Sequence, residues 1–346
     1  MFRTTVFAVA LSASMVAVLP FMPSASARSE FDDCIARLAD HPKVGRLGVG
    51  VIDLDLGKSY QYHGEQRFPL QSVFKAPLAV AVLEMVDSGK LSLRQSVTLK
   101  PSDMSVAYSE IADKFVAPEQ QITIAELIEK SVQESDNTAA DVLMQLVGGP
   151  DRVNEVFAKY KIRGISVDRY ERQLQPSILA LRPYQPGETI DRAKWQEDKS
   201  HATGAAARRA FRYYLEHDHR DSATPAAMAL FLQELYLGEL LSPESTKYLI
   251  DIMAATKTGV HRLKEGVPAN SVLAHKTGTG PDLDGINSAT NDIGIAYVSV
   301  NSLPEKRKFA IAVFLSGSRL SEDERDAVIR DVCRCAVGQI VENSRK

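Results

Sequence analysis

The chain has 346 residues, 45% of them hydrophobic, with 41 basic and 44 acidic side chains and a formal net charge of −3. Such a balance carries no electrostatic footprint for nucleic acid or an anionic membrane surface, so the expected partner is a small molecule. Three cysteines that match no zinc spacing argue against a metal centre; no metal, no cofactor and a monomeric state are expected.

The opening "MFRTTVFAVALSASMVAVLPFMPSASA" combines Arg3, an apolar run ending at Leu19 and the small-residue site Ala25-Ser26-Ala27. These are the three parts of a secretory signal, placing a leader at 1–27, a mature start near Arg28 and a secreted or periplasmic product. The run is short and Pro20 and Pro23 follow it, which argues against a membrane anchor. No later stretch is apolar enough to span a bilayer, so no membrane contact is expected after cleavage. Export permits one disulfide, Cys34 with either Cys333 or Cys335, leaving one odd thiol.

"RLGVGVIDLD" and "KSYQYH" read as strands joined by a turn at Leu56-Gly57, and "ATNDIGIAYVSV" and "KRKFAIAVFLSG" read as two more near the other end. Between them the pattern is mainly helical. The fold class is therefore α/β, an α+β sandwich. An antiparallel sheet flanked by helices is built from both termini, at about 28–67 and 260–346, with an all-α subdomain at about 68–259 inserted. "SVFKAPLAVAVLEMVDSG" is apolar nearly all round and describes a buried helix ending at Gly89. "SPESTKYLIDIMAATKTG" reads as a helix capped by Ser242, with Lys257 in its last turn and Gly259 just past its end.

The tripeptide Lys-Thr-Gly occurs twice. On this reading the copy at Lys257 terminates a helix, whereas the copy at Lys276 follows the β-rich "SVLAH" and can face a cleft. Ser72 is the only serine with a lysine three residues on, Lys75, a spacing that stacks both on one helical face. A hydroxyl beside a partly desolvated amine, at a helix start with exposed backbone N–H groups, supplies a nucleophile and half an oxyanion hole. Alone, Ser-x-x-Lys is an ordinary surface turn. Ser135-Asp136-Asn137 occurs once, and alone it is an ordinary helix cap. The three motifs in this order form a set with a recognised chemistry.

On those motifs, and on "YSEIADKF", "SDNTAADVLMQLVGGP", "VDRYE", "TPAAMALFLQELYLGELLSPES", "HRLKEGVP" and "HKTGTG", the chain resembles the class A serine β-lactamases over essentially its whole mature length. The resemblance implies the serine β-lactamase and penicillin-binding-protein fold, and hydrolysis of penicillins and cephalosporins through an acyl-enzyme. It implies Ser72 as nucleophile, Lys75 as its proton partner, Ser135 as proton relay to the lactam nitrogen and Glu171, in "DRYERQLQ", as the base that activates the deacylating water. Asn137 would hold the substrate side-chain amide and Tyr108 would wall the entrance. Lys276 and Thr277 of the Lys276-Thr277-Gly278 strand would bind the carboxylate, with backbone N–H groups of Ser72 and Thr279 as oxyanion hole.

Departures from the family pattern follow. Gln175 stands where a water-holding asparagine is usual. Arg169 and Asp221, which would close the Ω loop, are far apart in sequence, so an insertion at about 176–220 is expected to project beside the active site. It carries the only tryptophan, Trp195, and a helical "GAAARRAFRYYLEHD" with Phe211, Tyr214 and Leu215 at apolar spacing; a surface excursion and a functional lid both fit. Gln71 and Gly280 replace the cysteines of carbapenem-hydrolysing members. Arg262 is a candidate for the missing strand arginine, or a structural surface residue. A D-alanyl-D-alanine peptidase, or a penicillin-binding sensor that acylates without turnover, would share the three motifs but not a working Glu171.

Overall fold

The computed structural model describes residues 29–299 and 305–344, so the leader expected at 1–27 lies outside the described residues. The strands of the main sheet are β1 (Arg46–Asp53), β2 (Ser59–Tyr62), β3 (Val272–Thr279), β4 (Thr290–Val298) and β5 (Arg307–Ser316), all antiparallel in the order β2-β1-β5-β4-β3. The helices that position the site are α1 (Glu30–Ala39), α2 (Lys75–Asp87), α3 (Asn137–Val147), α4 (Glu171–Ile178), α5 (Arg192–His201), α6 (Ala205–Glu216), α7 (Pro225–Leu237), α8 (Pro243–Ala254) and α9 (Glu322–Asn343). The expected sheet from both ends, with a helical body inserted, is the fold found.

Period-two alternation explains how the sheet is covered. In β1, Leu47, Val49 and Val51 share a core with Phe31 and Ile35 of α1 and Ile329 and Val332 of α9. Gly48 and Gly50 point the other way, toward the start of α7. A Cβ at Gly50 would collide with the Pro225 carbonyl, and one at Gly48 with the Phe68 ring, so glycine is what lets helix and strand meet. Beneath, α2 is buried at every position from Lys75 to Leu83, as its all-round apolar sequence predicts.

Cys34 of α1 is bonded to Cys335 of α9, with Cα atoms 6.0 Å apart, and Cys333 is the free, buried thiol. That settles the pairing the sequence left open.

Two expectations need correction. First, α8 ends at Ala254, before the first Lys-Thr-Gly, so Lys257 does not sit in its last turn. Instead the Lys257 N–H donates to the Gln133 carbonyl (3.0 Å) and its amine pairs with Glu134 (2.7 Å). Gly259 is left-handed (φ +63°) as expected, but a Cβ there would press on the Thr277 methyl, so the segment is a strap laid along β3. Second, the insertion does not project. It folds into α5 and α6 and packs back: Trp195 is buried with Val106 and Ile190, and Phe211 and Tyr214 with Leu174 and Ile178 of α4. The neck is closed as predicted, with Arg169 Nε 2.5 Å from Asp221 Oδ2 and the N–H groups of Asp168 and Arg169 donating to Oδ1.

Candidate active site

Ser72 lies on a 3₁₀ turn, Gln71–Phe74, that runs directly into α2, and Lys75 is the first residue of that helix. The turn is fixed from three sides. Asn291 Nδ2 of β4 donates to the Pro69 (2.8 Å) and Leu70 (3.1 Å) carbonyls, and the Leu70 N–H donates to the Asp221 carbonyl (2.8 Å). Gly278 of β3 lies against it so closely that a Cβ would stand 2.7 Å from the Leu70 oxygen and 3.2 Å from the Ser72 nitrogen. The glycine of the second tripeptide is therefore what brings the strand onto Ser72.

Lys75 is fully buried. Its Nζ donates to Asn137 Oδ1 (2.6 Å) and the Ser135 carbonyl (2.7 Å), and stands 3.2 Å from Glu171 Oε1. The Ser72 hydroxyl lies 3.3 Å from that same oxygen. Asp136 performs the capping that the bland reading of its motif assigns: it accepts from the N–H groups of Ala139 and Ile111 and the Ser109 hydroxyl, each at 2.9 Å. With Asp136 anchored, Ser135 (φ +64°) and Asn137 reach the cleft on either side of it.

On the opposite wall, Lys276 Nζ donates to Ser135 Oγ (3.0 Å) and the Thr277 carbonyl (2.8 Å). Burial, and then the nearby Lys75 charge, push this amine well below the usual lysine range. Thr277 Oγ1 is 2.6 Å from Thr258 Oγ1 of the strap, so the first Lys-Thr-Gly also reaches the cleft, through Thr258 and Gly259. Arg262 is buried; it donates to Thr279 Oγ1 (2.9 Å), the Asn291 carbonyl (3.1 Å) and Asp326 (2.7 Å), which leaves it both structural and at the cleft.

The cleft has a volume of about 790 Å³. Ser72, Tyr108, Ser135, Asn137, Gln175, Arg262, Thr277 and Thr279 line it, while Lys75, Glu171 and Lys276 are buried within its walls and Gly278 backs the Ser72 turn. The candidate catalytic and substrate-binding residues singled out from the sequence are thus in one place. Tyr108, 57% exposed, stands at the mouth.

Glu171 opens α4, fully buried. Its N–H donates to Asp141 Oδ1 (2.7 Å), and its Oε2 accepts from Gln175 Nε2 (2.9 Å). Burial raises the Asp141 carboxyl to about 6, against the pull of the Arg172 guanidinium. Arg172 in turn donates to the carbonyls of Ser102, Met104, Gln185 and Glu188, which pins the start of α4. Sequence reasoning passed over Asp141, Arg172 and Thr258, and also Arg192, Gln196 and Lys199 of α5, which form part of the cleft rim. The available signal for the last three was their helical spacing beside Trp195, the chain's only tryptophan, in an otherwise polar segment.

Among the described residues no group of three or more His, Cys, Asp or Glu side chains could hold a metal ion, and no helix is long and apolar enough to cross a membrane.

Residues 30–340 match the family described as the beta-lactamase enzyme family. The chain is 29% identical to beta-lactamase VEB-1 of Pseudomonas aeruginosa over 84% of this chain and 84% of that protein. It is 31% identical to a beta-lactamase of Bacteroides uniformis over 88% and 90% of the two chains. Among solved structures, an ancestral class A beta-lactamase superposes with a TM-score of 0.71 at 34% identity, covering 89% of this chain and 99% of that one.

Proposed function

Because the chain belongs to the class A β-lactamases, serine hydrolases of β-lactams, we propose that its turnover runs through the residues gathered here and that it opens both penicillins and cephalosporins. Ser72 Oγ bonds to the lactam carbonyl carbon as its proton passes to the Lys75–Glu171 pair. The oxyanion is held by the N–H groups of Ser72 and Thr279, each worth about 3 kcal/mol in such sites. The C–N bond then breaks and the nitrogen takes the Ser135 proton, with Lys276 hydrogen-bonded to Ser135 to favour the transfer. The proton that left Ser72 passes from the Lys75–Glu171 pair to restore Ser135 and leave Glu171 a carboxylate. Lys276, Thr277, Thr279 and Arg262 receive the substrate carboxylate, Asn137 holds the side-chain amide, and Tyr108 bounds the entrance.

Deacylation follows when Glu171 takes a proton from water, the hydroxide attacks the ester, and the proton returns to Ser72 Oγ as the C–O bond breaks. The observation that carries this reading is the single buried Glu171 oxygen lying 3.3 Å from the Ser72 hydroxyl and 3.2 Å from the Lys75 amine. A base so placed serves both halves of the reaction. It also sets the site apart from a peptidase or a sensor, neither of which needs a buried carboxylate against the ester. Secretion fits the Cys34–Cys335 bond, which requires an oxidising compartment.

Glu171→Gln tests the assignment, since it keeps the shape and removes the base. Water attack should slow by about 10²- to 10⁴-fold. A chromogenic cephalosporin should then give a burst of one equivalent followed by a stall, with the drug found by mass spectrometry on the peptide containing Ser72. If the wild type stalls in the same way, Glu171 is not the deacylating base.

A further inference from the structure

The inserted segment reaches the catalytic base through an unbroken line of side chains. Tyr214 of α6 is 3% exposed, and its hydroxyl accepts from Gln71 Nε2 at 2.6 Å. Gln71 Oε1 accepts from Gln175 Nε2 at 3.1 Å, and that same amide nitrogen donates to Glu171 Oε2 at 2.9 Å. We propose that Tyr214 is a positioning residue for deacylation, acting on Glu171 through Gln71 and Gln175. The proposal rests on the role assigned above to Glu171.

The direction of the line is set by its two ends. An ionised carboxylate only accepts, so Gln175 must turn its NH₂ toward Glu171. That NH₂ also faces Gln71, which must present its oxygen. The Gln71 NH₂ is then left pointing at residue 214, where only an acceptor satisfies it. A neutral phenol provides one, and burial holds Tyr214 protonated by pushing it far above its ordinary range. Among the described residues these are the only side-chain hydrogen bonds of Gln71 and Gln175, so nothing else fixes either amide.

The backbone supports the same conclusion. Gln71 is buried and held at φ +46°, a conformation that side-chain-bearing residues rarely adopt, immediately before the nucleophile. Space for its side chain exists because residue 280 is glycine: a Cβ there would lie 3.1 Å from Gln71 Nε2 and would collide with Ser288 Oγ. Tyr214 itself is fixed by the apolar contact of Phe211 and its own ring with Leu174 and Ile178, on the helix that begins at Glu171. The insertion therefore holds the base twice, by packing against α4 and by the amide line.

The test is Tyr214→Phe, which preserves the packing and deletes the acceptor. Acylation has the Lys75 amine as well as Glu171 to take the Ser72 proton and leans on the line less than deacylation does, so kcat/KM, which reports acylation, should stay within about twofold of wild type. The deacylation rate constant should fall about tenfold, the scale of one lost buried hydrogen bond, so kcat and KM fall together and acyl-enzyme accumulates in quenched-flow mass spectrometry. Gln71→Met breaks the line one step further in. It should give the same fall, and the double variant should fall no further. Tyr213→Phe, on the exposed face of the same helix, should match wild type. A Tyr214→Phe enzyme with wild-type kcat overturns the proposal, as does an equal loss in kcat/KM or additivity with Gln71→Met. A wild type that acylates and stalls overturns the deacylation reading beneath it.

Discussion

Lys257 and Lys276 share a tripeptide, yet one is 63% exposed and paired with Glu134 while the other is fully buried against Ser135. Lys276→Ala should therefore cut kcat/KM by roughly 10- to 150-fold, the equivalent of a charge-assisted hydrogen bond of about 1.5–3 kcal/mol, whereas Lys257→Ala should leave it within about twofold. The depressed pKa of Lys276 adds a pH dependence. The amine carries its charge below that pKa and loses it as pH rises through it, earlier than an ordinary lysine would. The alkaline limb of kcat/KM for carboxylate-bearing substrates should fall at correspondingly lower pH, and Lys276→Arg should remove that limb even if it lowers the plateau. A limb that survives in Lys276→Arg would assign it to another group. The side chains that meet at the cleft were legible because chemistry dictates residue type at fixed local spacing, as in Ser72 and Lys75. The contacts of Asp141 with Glu171 and of Tyr214 with Gln71 were not, because nothing local in the sequence says which side chain tertiary structure sets beside an Asp or a Tyr.

At the scale of elements, the insertion replaces the open choice between excursion and lid with a third arrangement, a buttress under α4. Replacing 176–220 by a short loop should leave the Arg169–Asp221 neck able to form but cut α4 short, strip Leu174 of its cover and leave Gln71 without its acceptor. Retained acylation with slow turnover is the outcome expected from burst and steady-state assays; full activity would make the segment dispensable. Phe211→Ala should cost about 3–5 kcal/mol in cooperative denaturant unfolding if α6 melts with the rest of the molecule, since the ring is 4% exposed. The helix itself was readable from apolar spacing at Phe211, Tyr214 and Leu215. Where it docks was not, because periodicity says which face is buried and is silent about the surface that buries it. The end of α8 was misplaced for a related reason. Lys257 and Gly259 have the composition of a helix terminus, but the pull of Gln133, Glu134 and β3 on the strap decided the matter.

For the molecule as a whole, the bond between Cys34 and Cys335 ties the first described helix to the last across a separation of 301 residues. Replacing both cysteines by serine should lower unfolding free energy by about 2–5 kcal/mol, measured in guanidinium, while leaving kcat/KM of the folded enzyme unchanged because α1 and α9 lie on the sheet face remote from the helical body. The overall plan was the most legible level of all: two blocks of alternating strands at the ends and helices between them admit few ways to close one sheet. The choice of Cys335 over Cys333 needed the orientation of α9, which turns Cys333 inward.

That inward thiol has a consequence for the history of a heated sample. In the native protein Cys333 is inert, because burial raises its pKa and no solvent reaches it. Once the chain unfolds, it becomes a free thiolate two residues from one half of the only bridge among the described residues, and exchange can move Cys34 onto the wrong partner before the sheet reforms. Loss of activity after a cycle of heating and cooling should then rise with pH through the ordinary thiol range, although the native enzyme shows no such sensitivity. Cys333→Ala should recover most of its activity after the same cycle, and peptide mapping of the inactivated wild type should find Cys34 joined to Cys333. An alkaline-sensitive loss that persists in Cys333→Ala would place the damage elsewhere.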